Sequence, residues 1–253
     1  MKHFISFLII ICFMSCEEND AGESMRVSPP PSAVEINDSI PIDIPELHHI
    51  DLDHDTVTFL ALGDSYTIGT GVQESDRWPN QLVDKLRMLD IKIEDPEIVA
   101  RAGWRTDNLI KAMEDRKHYS EHDVVSLLIG VNNQYSGGIF EVFQQEFIQL
   151  LTISLEMAKS RSSVIVLSIP DYGATPFGAN NKELIGKEID MYNEWIQDVC
   201  LVNHIKFYHI TEISRKAQND LSLLADDLLH PSPIMYSQWV NEIISGLPEI
   251  LIR

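Results

Sequence analysis

Short apolar runs alternate with amphipathic stretches from residue 56 to the end of the chain. The runs are rich in β-branched residues and apolar at nearly every position, which is typical of strands buried on both faces of a parallel sheet. Between them, apolar residues recur at the spacing of a helix with one buried face. We predict strands at 56–62, 98–100, 124–129, 164–169 and 205–208, and helices from 78, 106, 140, 183 and 233 onward. The pattern predicts one α/β domain over 56–253, with a five-stranded parallel sheet covered on each side.

Two of these helices carry a capping signal. Thr106 precedes a helical pattern through Leu109 and Met113, and a threonine hydroxyl at that position accepts hydrogen bonds from the first turn. Ser232 and the proline after it open the closing helix, which we expect to run to about Gly246.

The first residues are predicted to be a targeting signal rather than part of the fold. Lys2 and His3 precede an apolar run over 4–14 that only Ser6 interrupts. At about 1.5 Å per residue this run is too short to cross a hydrocarbon core of about 30 Å, so a secretory signal is expected over 1–15. The segment Phe13-Met14-Ser15-Cys16 resembles a bacterial lipoprotein box, although a methionine replaces the usual small residue. The alternative is an ordinary cleaved signal with an incidental cysteine.

Residues 16–55 are predicted to be a lipidated cysteine, Cys16, followed by a solvated tether. The stretch 17–55 carries 11 acidic residues and one basic residue, with several prolines, which is typical of a partly extended linker. Its first residues, Glu17-Glu18-Asn19-Asp20, resemble the acidic export signals of some surface lipoproteins. The expected location is therefore the cell envelope, with the protein exported and anchored to the membrane by lipid, and the face of the envelope stays open.

The charge, the lengths of the apolar runs and the position of Cys200 limit the expected partners of the protein. The formal net charge is −20, of which 56–253 carries −11, and this argues against nucleic acid as a partner. No other stretch is apolar for the roughly 18 residues that span a membrane, so the lipid anchor is the expected membrane contact. Cys200 lies in an apolar stretch and is predicted to be a buried small hydrophobic residue.

A polar cluster just before the first strand has two interpretations. It contains His48, His49, Asp51, Asp53, His54 and Asp55. A metal site is one interpretation, but structural zinc sites usually include cysteine or lie on formed turns. A solvated linker is the other, and we expect no metal and no cofactor.

Two of the loops that follow strands supply a nucleophile and a base. Gly63 permits a sharp turn at the end of the first strand and leaves Ser65 at the strand exit. Near the end of the chain, Asp227 and His230 are three residues apart, so the carboxylate can hold one imidazole nitrogen while the other faces a serine hydroxyl. Asp226 is an alternative to Asp227 with less suitable spacing.

Two further loops supply hydrogen-bond donors. Gly103 follows the second strand and Asn132 follows the third. The tetrahedral intermediate of acyl transfer carries an oxyanion that needs donors aimed at it, and a glycine N–H, an asparagine amide and the N–H of Ser65 are suitable.

Together the four blocks resemble the SGNH/GDSL hydrolase family. The matching segments are Gly63-Asp64-Ser65, Gly103, Gly130-x-Asn132 and Asp227-x-x-His230, in the family's order over 56–247. The resemblance implies a three-layer α/β/α sandwich of flavodoxin-like type and cofactor-free ester hydrolysis. It also implies that Ser65 is the nucleophile, His230 the general acid and base and Asp227 its orienting residue, with Ser65, Gly103 and Asn132 forming the oxyanion hole.

Two positions depart from the family pattern: Tyr66 replaces the usual leucine and Asn133 the usual aspartate. Neither is catalytic in that pattern, so the mechanism implied by the resemblance is little affected.

The sequence leaves the substrate open. Aromatic residues flank the four blocks and are candidates to line an acyl or alcohol pocket: Tyr66, Trp78, Trp104, Tyr135 and the loop 172–177. We expect a carboxylic ester with a small acyl group, a lipid or an acylated glycan as the substrate, and the oligomeric state stays open. The alternatives are a non-catalytic surface protein that keeps the fold as a binding module, and a metal-dependent hydrolase that uses the polar cluster over 48–55.

Overall fold

The computed structural model describes residues 56–114 and 121–247. The five strands are β1 (Phe59–Gly63), β2 (Glu97–Ala100), β3 (Val124–Leu128), β4 (Val164–Leu167) and β5 (Lys206–Tyr208). The α-helices are α1 (Ser65–Ile68), α2 (Trp78–Arg87), α3 (Thr106–Glu114), α4 (Val131–Tyr135), α5 (Phe140–Glu156), α6 (Lys182–Val202), α7 (Thr211–Arg215) and α8 (Pro233–Ile244). Short 3₁₀ turns cover Glu74–Asp76, Arg161–Ser163, Tyr172–Ala174, Ala179–Asn181, Lys216–Gln218 and Leu221–Leu223. The predicted signal, the anchor at Cys16, the tether and the polar cluster over 48–55 lie outside the described residues.

All five strands pair in parallel in the order β2-β1-β3-β4-β5. This is the flavodoxin-like order, in which the chain reverses direction across the sheet after β2. Its central strand pair is in register from Phe59 with Val124 to Gly63 with Leu128. Because every strand runs the same way, the loops that follow the strands gather at one edge.

The helices form two layers on the sheet. Helix α2 packs against α8, whereas α3 packs against α5. Right-handed crossovers place the connection from β1 to β2 on one face and the next three connections on the other. The predicted three-layer α/β/α sandwich is therefore confirmed.

The interior consists of the buried strands and one side of each long helix. Strands β1, β3 and β4 are buried at every position, as their continuous apolar sequences predicted. An aromatic cluster fastens α5 to α6, with the rings of Phe143 and Tyr192 4.5 Å apart. Cys200 is buried and its thiol is free, and burial raises its pKa to about 12, which agrees with the predicted apolar role.

Predicted and observed elements agree within a few residues, with one difference at a cap. Thr106 was predicted to cap α3 but is instead its first residue. The main-chain N–H of Thr106 donates to the side chain of Asn133, 27 residues away, and the Thr106 hydroxyl bonds to the side chains of Asn133 and Glu146. Ser232 does cap α8, accepting a hydrogen bond from the N–H of Met235. The short helices α1, α4 and α7 were not predicted.

Within the two described ranges, no helix combines the length and the apolar character needed to span a membrane.

We expect Leu127→Ala to lower the free energy of unfolding by about 2–5 kcal/mol, because it leaves a cavity in the middle of the sheet. Leu127 is fully buried in β3, the strand that leads to Asn132. Leu201→Ala is the matched control, since this side chain is 72% exposed on α6, and it should change stability by about 0.5 kcal/mol or less. Urea denaturation followed by circular dichroism measures both, and equal effects would contradict the assigned burial.

Candidate active site

Three of the four sequence blocks lie at the carboxyl edge of the sheet, whereas the Asp227–His230 block, predicted to follow a strand, instead follows α7 and two 3₁₀ turns. Ser65 follows β1, Gly103 follows β2 and Asn132 follows β3. Since β1 lies between β2 and β3, Ser65 occupies the middle position of the three. Ligand sites in open parallel sheets lie beyond this edge, at the point where the strand order reverses.

The turn that presents Ser65 is tightly packed. A Cβ on Gly63 would lie 2.3 Å from Thr67 Oγ1 and 2.6 Å from the carbonyl oxygen of Leu128, so only glycine fits at the end of β1. Asp64 caps α1 by accepting a hydrogen bond from the N–H of Tyr66 at 3.0 Å. Ser65 begins that helix and is 6% exposed.

The predicted partnership between Asp227 and His230 is formed in the structure. Asp227 Oδ2 lies 2.6 Å from His230 Nδ1. Asp227 Oδ1 accepts hydrogen bonds from the main-chain N–H groups of Leu229 and His230, at 3.0 and 2.9 Å, which fixes the carboxylate in place. Burial raises the pKa of Asp227, but the bonds from His230 and Leu229 outweigh burial and hold the pKa below its ordinary value. An ionised Asp227 selects the tautomer with a proton on Nδ1 and leaves Nε2 as the acceptor.

The Asp227–His230 loop packs against the segment that carries Ser65. The ring of His230 lies 5.7 Å from the ring of Tyr66, the residue after Ser65. The buried hydroxyl of Tyr236 on α8 donates to the carbonyl oxygen of Tyr66 at 3.0 Å, which fastens the helix after His230 to the Ser65 turn. Tyr66, the departure from the family pattern, is thus the contact between the two halves of the candidate site.

The side-chain amide of Asn132 is oriented by the neighbouring loop. Its Nδ2 donates to the carbonyl oxygen of Trp104 at 2.9 Å, and the amide group has a second hydrogen that this bond does not use. Gly103, directly before Trp104, has a φ of +81°, and a Cβ there would meet no atom within 4 Å. Glycine is therefore favoured at 103 by backbone conformation rather than by crowding.

A second bond network links the same two loops, and the sequence did not reveal it. Asn133 Oδ1 accepts from the N–H of Thr106 at 3.1 Å, and Asn133 Nδ2 donates to Thr106 Oγ1 at 2.6 Å. The Thr106 hydroxyl donates in turn to Glu146 Oε2 on α5. The available signal was the amide at 133 where the family pattern has a carboxylate, but no local pattern indicates the partners of that amide.

The aromatic candidates for a substrate pocket separate into two groups. Trp78 is fully buried and packs against Phe59 at 6.0 Å between ring centroids, so it belongs to the core. Tyr135, Tyr172 and Phe177 form a cluster with ring separations of 5.8 to 6.2 Å. Tyr135 is 59% exposed and Phe177 53% exposed, and we call these two rings the aromatic patch.

In the part of the chain that the structure describes, no group of three or more histidine, cysteine, aspartate or glutamate side chains is arranged to hold a metal ion. The polar cluster over 48–55 lies outside that part.

Burial alters the ionisation of Asp64, the residue directly before Ser65. It is 1% exposed, and its Oδ2 is buried without a hydrogen-bond partner among the described residues. Burial raises the pKa of this carboxyl from 3.8 to about 7, although the bond from the Tyr66 N–H opposes the shift. The folded state therefore retains a proton that the unfolded chain releases above pH 3.8. The contribution of Asp64 to stability is greatest below that pH and falls as the pH rises to about 7.

We expect the free energy of unfolding of Asp64→Asn to increase relative to that of the wild type as the pH rises from about 5 to about 8. The amide keeps an acceptor for the Tyr66 N–H and cannot ionise. Denaturant unfolding at both pH values measures the difference, with the exposed Asp226→Asn as the control that should show no such trend. A difference that does not change with pH would contradict the raised pKa.

Comparison with known proteins gives the family. The model of the GDSL-like Lipase/Acylhydrolase family matches residues 61–238, which include all four blocks. A crystal structure of a lipolytic G-D-S-L family protein from Veillonella parvula is similar at TM-score 0.60 and 14% identity, covering 76% of this chain and 98% of that one. Axe2, an acetylxylan esterase from Geobacillus stearothermophilus, is similar at TM-score 0.59 and 16% identity, with coverage of 77% and 94%. The psychrotrophic esterase EstA from Pseudoalteromonas sp. is similar at TM-score 0.56 and 16% identity, with coverage of 79% and 100%.

At these identities the structural similarities show the fold alone, and no curated protein sequence matches the chain. The family model spans well over half of the chain and every strand exit that carries a block. The chain therefore belongs to the GDSL-like lipase/acylhydrolase family of ester hydrolases.

Proposed function

We propose that the protein hydrolyses a carboxylic ester through a triad of Ser65, His230 and Asp227. The observation that carries this proposal is the 2.6 Å pair of Asp227 Oδ2 and His230 Nδ1, packed on the residue that follows Ser65. The family supports ester hydrolysis, and the assignment of the three roles to these residues is our own.

The first half of the reaction forms an acyl-enzyme. His230 Nε2 accepts the proton of Ser65 Oγ as that oxygen attacks the ester carbonyl carbon. The carbonyl oxygen becomes an oxyanion, which the N–H groups of Ser65 and Gly103 and the second hydrogen of Asn132 Nδ2 stabilise. His230 then gives its proton to the departing alkoxide, and the bond between carbonyl carbon and alcohol oxygen breaks.

The second half regenerates the enzyme with water in place of the alcohol. His230 takes a proton from water, whose oxygen attacks the acyl carbon, and Ser65 leaves as a hydroxyl after reprotonation by His230. Throughout, the ionised Asp227 stabilises the imidazolium form of His230. The lowered pKa of Asp227 supports this role because it keeps the carboxylate charged at neutral pH.

We propose a small acyl group on a larger alcohol as the substrate. With a small acyl group, the alcohol is the part of the ester that needs a binding surface, and the aromatic patch offers exposed rings close to Asn132. Asn132 and Tyr135 are three residues apart on α4 and so share one face of it. Axe2, one of the similar structures, is an acetylxylan esterase, which is consistent with a small acyl group.

We also propose that the enzyme is exported and held at the cell envelope by a lipid on Cys16. The support is the lipoprotein-like segment over 13–16 and the acidic, proline-containing tether that follows it. The described residues carry no membrane-spanning helix, so the lipid is the membrane contact that the proposal requires.

Ser65→Ala should abolish both hydrolysis of p-nitrophenyl acetate and labelling by a fluorophosphonate probe.

Asn132→Ala should remain folded and lose about a hundredfold or more in kcat, the usual effect of removing one oxyanion donor. Ser162→Ala, at an exposed serine before β4, is the control and should retain full activity and labelling. A folded wild-type protein that neither hydrolyses nor labels would instead favour the binding-module alternative.

Phe177→Ala should raise KM for p-nitrophenyl acetate about three- to tenfold with little change in kcat, because a ring that contacts only the alcohol part of the ester contributes equally to binding of the substrate and of the transition state. Tyr135→Ala should do the same. Leu201→Ala is the control for the loss of an exposed apolar side chain on α6. Unchanged KM in both aromatic variants, together with a preference for long acyl chains, would contradict the small-acyl assignment.

A further inference from the structure

The loops that carry Gly103 and Asn132, two of the three proposed oxyanion donors, come from strands that do not touch. Strand β2 precedes Gly103 and β3 precedes Asn132, and β1 separates the two strands. Neighbouring strands lie about 4.8 Å apart, so the loops must be held together across about 10 Å, over the strand that ends at Ser65.

Two side chains make this link. Asn132 reaches Trp104 through its amide, and Asn133 reaches Thr106 through two hydrogen bonds. Asn133 is 6% exposed and Thr106 is fully buried, so water cannot readily replace these bonds. The orientation of the Asn132 amide therefore depends on the adjacent Asn133, whose side chain holds the loop after β2 in place.

The direction of every hydrogen bond in this network is determined. The N–H of Thr106 can only donate, so it faces Asn133 Oδ1 and places Asn133 Nδ2 against Thr106 Oγ1. The single hydroxyl hydrogen of Thr106 is then free to go to Glu146. Each of these hydrogen bonds joins one donor to one acceptor because Asn133 supplies an amide and Glu146 a carboxylate.

We infer that Asn133 is a positioning residue for the oxyanion hole and that Glu146 is the reason an amide is needed there. This inference rests on the proposed function, because it concerns the alignment of Asn132 during hydrolysis. Asn133 does not touch the reacting atoms and acts through the loop that Thr106 begins and through the adjacent Asn132.

A carboxylate at 133, the usual family residue, would break the network in this chain. Thr106 has one hydroxyl hydrogen and would face two carboxylate acceptors, so one of them would have to take up a proton. That requirement grows more costly as the pH rises. A second change, Glu146→Gln, would restore a complete network with the opposite direction: the new amide donates to Thr106 Oγ1, and the hydroxyl donates to the new carboxylate.

Other charges close to Glu146 bear on the pH dependence. The guanidinium of Arg105 is attracted by Glu146 and forms two hydrogen bonds to Asp107 at 3.1 and 3.0 Å. Both side chains remain in every variant, so they act equally on the two members of each comparison at one pH: N133D with wild type, which both keep the carboxyl at 146, and N133D/E146Q with E146Q, which both lack it.

The test is a double-mutant cycle in the full-length protein with N133D, E146Q and N133D/E146Q. At about pH 8, N133D should lower kcat for p-nitrophenyl acetate about tenfold with KM changed less than about twofold, and should lower the melting temperature. E146Q should stay within about twofold of wild type, because its amide can still accept from Thr106. The double variant should recover to within about threefold of wild type, and the loss in N133D should shrink toward about pH 5.

Each outcome separates the inference from the proposed function. A double variant no better than N133D in both kcat and melting temperature would overturn the inference, as would an N133D protein equal to wild type at both pH values. Recovery of melting temperature without recovery of kcat would overturn the positioning role and leave a structural one. An inactive wild type would refute the proposed function, and with it the positioning role, before any variant is compared.

Discussion

Parallel pairing of β1 with both β2 and β3 is the constraint on which the whole candidate site depends. It places three strand ends side by side, with Ser65 in the centre and the loops of Gly103 and Asn132 on either side. Strands β1 and β3 are buried at every position, so the core sets where these strands end, and side-chain bonds between the Gly103 and Asn132 loops hold the two loops to each other. The His230 loop is positioned by other contacts: the ring of His230 packs on Tyr66, and Tyr236 on the following helix α8 donates a hydrogen bond to the carbonyl oxygen of Tyr66.

The fold class and the family could be predicted because the patterns that indicate them are local in the sequence. Continuous apolar strands and one-sided helices gave the α/β class, and a glycine or small polar residue at each strand exit marked the blocks. What could not be predicted is how the blocks hold one another. The bond from Thr106 to Asn133 joins residues 27 apart and that from Tyr236 to Tyr66 joins residues 170 apart, and no spacing rule describes either. Thr106 looked like a helix cap because local patterns cannot show that its hydroxyl bonds to the distant side chains of Asn133 and Glu146.

The aromatic residues beside the blocks show a second property that the sequence does not predict, namely whether a ring is buried or exposed. Trp78 and Phe177 both flank a block in the sequence, yet one is fully buried and the other is 53% exposed. Trp78 lies in the first turn of α2, on the side that faces β1, whereas Phe177 lies in the loop after β4. Burial of an aromatic residue depends on which layer its element joins, and that is a property of the assembled sheet and helices.

Several unfavourable local features concentrate around Ser65, which is expected where structure serves chemistry rather than stability. Asp64 is buried with one carboxylate oxygen unpartnered among the described residues, and Gly103 and Gly130 adopt φ values of +81° and +129°. At Gly130 a Cβ would come within 2.7 Å of Ile169 and 2.8 Å of Phe143, so this turn has no room for adjustment. The buried core beneath these turns holds the proposed oxyanion donors in place before a substrate arrives. Preorganisation of this kind is what stabilisation of an oxyanion requires, because donors that must first reorient lose part of their effect.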